Sequence, residues 1–329
     1  MTQYPTLTAF MRQFHDTESC YVYLLEEKWG RGFSCRKCGH EASVKGKKAL
    51  YRRCQKCLYD ESPTAHTIFH KLKFPIERGF AMVYLLSTMR KGVSSYELAR
   101  QFGVHQETAW FFKRKVQRVL NSFPKSKLKE NVEADETFIG GFEPGKPGRS
   151  KGNKQLVQVC IEVEYPTHGK RRGKIKNADA RVLKDASSNS IKEALDHMVH
   201  EKAVITTDGW RGYQKATEGK WHNIEYSEDG ANFRELHWYI FTLKNWIRGI
   251  RHKISGVHLQ SYLDEFNYRF NRRNHSNQCP SSVLSRMALL PKCPYSQLVA
   301  LEPVKPLNKN RVDLPQVRTK QTGMEHDNC

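Results

Sequence analysis

The sequence predicts a mixed α/β domain preceded by a small cysteine ribbon and a helical region. Three observations predict it. Four of the nine cysteines fall in two C-x2-C pairs before residue 60, and apolar residues then recur at helical intervals from about 75 to 120. From about 131 onward, short β-like runs give way to a helix, another β-like run and more helices, the texture of a mixed α/β domain. Two aspartates, Asp135 and Asp208, sit on or just beyond β-like runs, in a chain whose formal net charge is +21.

Taken in order, residues 1–30 read as an N-terminal helical segment, with Phe10, Phe14, Tyr21, Leu24 and Leu25 at helical intervals and a capping signal at Asp16-Thr17-Glu18-Ser19. Residues 31–62 change to short polar hairpins punctuated by glycine and cysteine. Residues 63–124 are helical again, broken at Gly92-Val93-Ser94 and at Gly103. In the region 125–290, strands are expected over about 131–139, Leu156–Val163, Ala180–Leu183 and Ala203–Thr206, with a helix over Ser190–His200 before the last. The Gly/Lys/Arg-rich stretches 143–154 and 167–176 read as connectors, and 291–329 as a flexible tail, apolar-poor from about Pro303.

The 329 residues carry 55 Lys+Arg against 34 Asp+Glu, an excess spread along the chain, which makes nucleic acid the expected partner. No run of about 18 apolar residues occurs, and the N-terminus lacks the pattern of a signal peptide, so a cytoplasmic protein with no membrane partner is expected. An odd cysteine count with four in metal spacing argues for zinc in a reducing compartment.

Cys35, Cys38, Cys54 and Cys57 form C-x2-C-x15-C-x2-C. Two residues between paired thiolates let a tight turn aim both at one tetrahedral ion, so one structural Zn²⁺ is expected, with no open position for catalysis. Arg36, Lys37, Lys45, Lys47, Lys48, Arg52, Arg53 and Lys56 surround the site and suit DNA phosphates. Further on, Val93–Trp110 reads as helix, glycine turn, helix. Such a helix-turn-helix would place Gln106, Lys113 and Arg114 on the open side of its second helix, toward a major groove.

On a strand through Val132–Ile139, Glu133, Asp135 and Thr137 share one face, so Asp135 meets Asp208 only if their strands are neighbours. Two such carboxylates and a third ligand can hold divalent ions that activate water or a 3′-hydroxyl against phosphorus.

Ala134-Asp135-Glu136-Thr137-Phe138-Ile139-Gly140-Gly141, the upstream stretch Ser62–His70 and the downstream stretch His258–Arg273 resemble the zinc-ribbon insertion-sequence transposases of the ISXO type, over about residues 15–290. The resemblance implies an RNase H-like catalytic domain of DDE type, with Asp135 and Asp208 as the first two acids. It implies Mg²⁺ or Mn²⁺, two ions in all, at these catalytic residues. It also implies a nucleoid-associated bacterial protein that binds its element's terminal inverted repeats and target DNA, as a homo-oligomer, to cleave 3′ ends and transfer strands. The third position departs from an acid: seven residues before the expected basic Lys244 stands His237. On a helix His237 aligns with Lys244, Arg248 and Arg251, whereas Glu235, the alternative third ligand, lies about 200° away with Trp238, Thr242 and Trp246, which look core-facing. Two other readings remain at this stage: a catalytically silent, element-derived DNA-binding protein, and an RNase H-like nuclease that cuts without joining.

Overall fold

The computed structural model describes residues 6–140, 154–166, 173–226, 232–250, 256–275 and 278–299. Two helices come first, α1 (Leu7–Gln13) and α2 (Thr17–Trp29). α2 starts where the sequence signals it, since Asp16 accepts from the Ser19 N–H at 2.8 Å and satisfies a donor the helix leaves open. The ribbon follows as three short antiparallel strands, β1 (Ser43–Lys45), β2 (Arg52–Cys54) and β3 (Asp60–Glu61). Next are α3 (Ile76–Thr88), α4 (Ser95–Phe102) and α5 (Gln106–Asn121). Ser94 caps α4 through the Glu97 N–H at 3.0 Å, and Gly103 ends it in the left-handed conformation (φ 60°) that lets the chain turn into α5.

The second half forms a five-stranded sheet from β4 (Asn131–Ile139), β5 (Gln155–Glu164), β6 (Lys174–Val182), β7 (Val204–Thr207) and β8 (Trp221–Ile224), with α6 (Ser188–Met198) and α7 (Gly212–Ala216) on either side of β7 in sequence. Its order is β6-β5-β4-β7-β8: the first three strands are antiparallel, and β7 and β8 join parallel to β4. β6 begins at Lys174, inside the stretch read as a connector, because it pairs with β5 as far as Glu164. β8 has no counterpart in the sequence reading. Four helices follow: α8 (Arg234–Ile250), α9 (Gly256–Asn271), α10 (Cys279–Leu289) and α11 (Tyr295–Val299).

Three apolar clusters result. α8 and α9 cover one sheet face through Val157, Val159, Ile161 and Val163 of β5, while α6 and α7 cover the other through Val132, Ala134, Leu156 and Cys160. Strand alternation produces this division directly. The third core is helical, built by α1 to α5 together with α10 and Leu298 of α11. Leu298 and Cys293 are buried there, within the stretch read as a tail; the rest of that stretch, from residue 300, lies outside the described residues.

α9 does two jobs besides burying Leu259, Leu263 and Phe266. Its side-chain amides hydrogen-bond the free edge of β6: Asn271 accepts from the Ala178 N–H at 2.8 Å and donates to the Ala178 carbonyl at 2.9 Å, while Gln260 accepts from the Val182 N–H and donates to the Ala180 carbonyl. An edge satisfied in this way offers no template for another strand. Its other polar face meets α5, where Gln117 donates to the buried Glu265 at 2.5 Å.

Candidate metal centres and active-site edge

The ribbon's cysteines come together as their spacing demands. All four Sγ atoms lie within 4.8 Å of one another, with Cys35 to Cys57 and Cys38 to Cys54 each 3.6 Å apart. Sulfurs at tetrahedral corners around zinc, at about 2.3 Å from the metal, stand about 3.8 Å apart, so the donor set and its dimensions fit that ion. Each pair sits on a turn closed by a left-handed residue: Gly39 (φ 73°) donates to the Cys35 carbonyl, and Leu58 (φ 58°) to the Cys54 carbonyl. Glu61, at the end of β3, makes a buried ion pair with Lys28 of α2 at 2.5 Å. Burial lowers the Lys28 ammonium to about 8 against the pull of Glu61, and Lys28 also donates to the carbonyls of Ser62 and Ala65.

The second centre lies at the sheet's C-terminal edge. β4 and β7 run parallel, their pairing ends with Glu133 opposite Thr206, and the same register carried on two residues brings Asp135 toward Asp208, which follows the end of β7 at Thr207. On the face toward α8, β5 presents valines and isoleucine, but β4 presents Glu133, Asp135 and Thr137, a polar strip under the helix. One oxygen of each aspartate is oriented by backbone: Asp135 accepts from the Glu136 N–H at 2.8 Å, and Asp208 from the Trp210 N–H at 3.2 Å. Both are partly exposed. Among the described residues the cysteines alone form a metal-sized cluster; Asp135 and Asp208 with a third ligand do not reach that mutual distance.

The opposite face supplies a brace. Gln158 of β5, fully buried, donates to the Asp135 carbonyl at 3.3 Å and to the Tyr213 hydroxyl at 2.9 Å. Tyr213 lies on α7, five residues after Asp208, and its hydroxyl is raised far above its ordinary range by burial and by the neighbouring Glu136 carboxylate. Neither carries a mark in the sequence, since Gln158 is a single amide in the apolar run Leu156–Ile161 and Tyr213 one aromatic among the polar residues Arg211, Gln214 and Lys215.

α8 then separates the two contenders for third ligand. His237 Nε2 lies 4.0 Å from Asp135 Oδ2 on an exposed stretch of the helix. Lys244, two turns on, is lowered first by burial and further by Arg248, against the attraction of Asp135. Glu235 turns elsewhere and accepts from the Gly173 N–H at 3.0 Å. Nearby, the buried Glu133 takes a hydrogen bond from the Tyr165 hydroxyl, and its carboxyl is raised by burial, with Glu235 and Glu225 adding to the shift. Arg248 is exposed, Arg251 lies outside the described residues, and Trp238, expected to face the core beside Trp246, is 54% exposed.

The helix-turn-helix expectation needs a correction. Lys113 and Arg114 are 1% and 3% exposed, not open to a groove. Lys113 donates to the Val93 carbonyl at 2.5 Å, and Arg114 bonds Gln117 and the His258 ring, because α5 is packed on one side by the helical core and on another by α9. Its first turns remain the more accessible, while the stretch from Phe112 to Gln117 is buried throughout. Gln106 is there, half-buried, with its amide on the Ser95 hydroxyl at 2.9 Å. The ribbon is more open: Lys37, Lys45, Lys47, Lys48 and Lys56 are all exposed.

A sheet ordered 3-2-1-4-5, with its last two strands parallel to the first and aspartates on the first and just past the fourth, defines an RNase H-like α/β fold. A family model described as the ISXO2-like transposase domain matches residues 127–271, and one described as the transposase zinc-ribbon domain matches residues 15–60. The chain belongs to the zinc-ribbon, ISXO2-like DDE transposases. No curated protein matches the sequence. Two solved structures are similar to it at 12% and 11% identity: the simian T-cell lymphotropic virus intasome in complex with the PP2A regulatory subunit B56 gamma, and the Mos1 strand transfer complex. They cover 70% and 68% of this chain and 76% and 78% of their own, with TM-scores of 0.23 and 0.21. Similarity at that level says nothing about the site. Among the described residues no helix is long and apolar enough to cross a membrane.

Proposed function

We propose that this protein binds the terminal inverted repeats of its own mobile element, cuts their 3′ ends and joins them to target DNA. One observation carries the reading: the β4–β7 register that brings Asp135 toward Asp208 under the basic face of α8. Hard oxygen donors on neighbouring strands, Asp135 within β4 and Asp208 just past β7, fit divalent metal, and the 4.0 Å between His237 and Asp135 supports His237 as third ligand or proton carrier. Mg²⁺ or Mn²⁺ held there would supply an acidified nucleophile and neutralise charge on the attacked phosphate. The chain's own residues do the rest. Asp135 and Asp208 would hold the metal, Lys244 and Arg248 offset the charge of the reacting phosphate, and His237 accepts the proton leaving water or the 3′-hydroxyl. The same constellation serves cutting and joining in turn, so no covalent link to the protein is required.

End recognition falls mainly to the ribbon's exposed lysines, with the first turn of α5 and Gln106 beside them, since Lys113 and Arg114 are internal. Joining two ends requires two sites, which implies a homo-oligomer assembled on DNA. The decisive experiment incubates the full-length protein with labelled terminal repeats and Mg²⁺ or Mn²⁺. Cleavage and joining that disappear in Asp135→Asn and in Asp208→Asn support the enzyme. A wild type that binds ends but cuts under neither metal would make it a silent DNA-binding protein, and cutting without joining would make it a nuclease.

A further inference from the structure

Tyr226 stands at the active-site edge, and neither the fold nor the site described so far uses its ring. In the β7–β8 pairing Thr207 is opposite Ile224, and the Glu225 N–H donates to the Thr207 carbonyl at 3.0 Å, so the chain leaves β8 alongside Asp208. Tyr226 comes next, and its ring lies against Gly209, the neighbour of Asp208. A methyl group added at Gly209 would overlap that ring, with Cδ1 at 2.7 Å, and the three heavy atoms nearest to it all belong to Tyr226. Gly209 does not have the left-handed backbone of a turn glycine, so the missing side chain makes room for the ring and is not a requirement of the backbone.

Seated against the glycine, the ring is nevertheless 74% exposed. An aromatic side chain fixed against backbone and open to solvent, beside a site for phosphodiesters, presents a π-face to the same substrate. Base-on-aromatic stacking tolerates any base, which suits a residue that must hold a strand without reading it. We propose that Tyr226 contacts the DNA directly, stacking on a nucleobase next to the phosphodiester held at Asp135 and Asp208 and keeping the strand in place for attack. This rests on the transposase reading above.

The test places 2-aminopurine beside the cleaved phosphate in a terminal-repeat duplex and follows its fluorescence, with cleavage kinetics, in the full-length protein. Wild type and Tyr226→Phe should quench the probe equally. Tyr226→Leu keeps apolar bulk over Gly209 but has no π-face; it should lose the quenching and cut about tenfold more slowly, while its melting temperature and its affinity for the whole duplex stay near wild type. Gly209→Ala, which displaces the ring, should behave like Tyr226→Leu. Absence of quenching in wild type, or Tyr226→Leu matching wild type in fluorescence and rate, overturns the inference. Failure of the underlying reading looks different: cleavage would then be missing altogether or would persist in Asp135→Asn.

Discussion

His237 and Glu235 stand two positions apart on α8 and meet entirely different partners. The imidazole points to Asp135, 4.0 Å away, while the carboxylate is spent on the Gly173 N–H. The helical angle between them, legible in the sequence, is what parts them, because neighbours two apart on a helix face nearly opposite directions. An acid is therefore present on α8, but it faces the wrong way for the aspartates. His237→Ala is expected to lower single-turnover cleavage of labelled ends by about 10²- to 10⁴-fold, the usual loss when a positioned proton carrier is removed. His237→Glu should recover part of the rate, since a carboxylate can hold metal or take a proton. Glu235→Gln should leave cleavage largely intact, as the amide oxygen still accepts from Gly173. Equal losses in His237→Ala and Glu235→Gln would defeat this assignment.

Among the elements, α9 shows how a recognisable motif can be mainly architectural. The stretch His258–Arg273 carries the family resemblance, yet Gln260 and Asn271 bind the edge of β6, and Glu265 ties α9 to α5. Asn271→Leu strips partners from the Ala178 N–H and carbonyl together. At about 1–3 kcal/mol for each backbone group left unsatisfied, the variant should unfold at clearly lower urea, with the Trp-rich α8 fluorescence reporting it. An unchanged midpoint would mean that water replaces the amide at no cost. The same element explains what the sequence could not show. Lys113-Arg114-Lys115 has the composition of a solvated helix face, and only the tertiary packing of α5 against α9 and the helical core turns it inward, where the carbonyls of Val93 and Ile68 receive the two lysines. β8 escaped for another reason: Trp221–Ile224 is four residues long, mostly exposed and without alternation, so it exists as a strand only because β7 pairs with it. β5 and β7 were legible as β-branched, largely apolar runs and β4 through its alternation, all three sitting between neighbours, and the cysteine site because its spacing is a geometric instruction. Adjacency of Asp135 and Asp208 belongs to the strand order, which no local pattern records.

Across the whole molecule, the ribbon and the two larger bodies are held by different forces. The helical core and the α/β unit bury extensive apolar clusters and are joined through α5 and α9, by Gln117 on Glu265 and Arg114 on His258, and by Arg269 on the Met89 carbonyl at 2.8 Å. The ribbon has three strands of two or three residues and contributes Cys35 and Cys54 as its buried apolar side chains between residues 31 and 60. Such a segment cannot offset its own chain entropy by burial, so the four thiolates and their zinc must supply the stabilisation. The Lys28–Glu61 pair fixes where the ribbon sits rather than whether it folds, since a buried ion pair roughly balances its own desolvation. Zinc removal should therefore act locally. With a strong chelator, one zinc per chain should be released, and limited proteolysis read by mass spectrometry should cut first between Arg31 and Asp60, while fragments beginning near Ser62 stay intact. Far-UV circular dichroism should change little, because the helices lie elsewhere. Affinity for the terminal repeats should fall together with its salt dependence, as the ribbon's exposed lysines lose their fixed arrangement. Digestion spreading at once through α3 to α5 would show instead that the ribbon is an integral wall of the helical core, with Lys28 and Glu61 as its anchor.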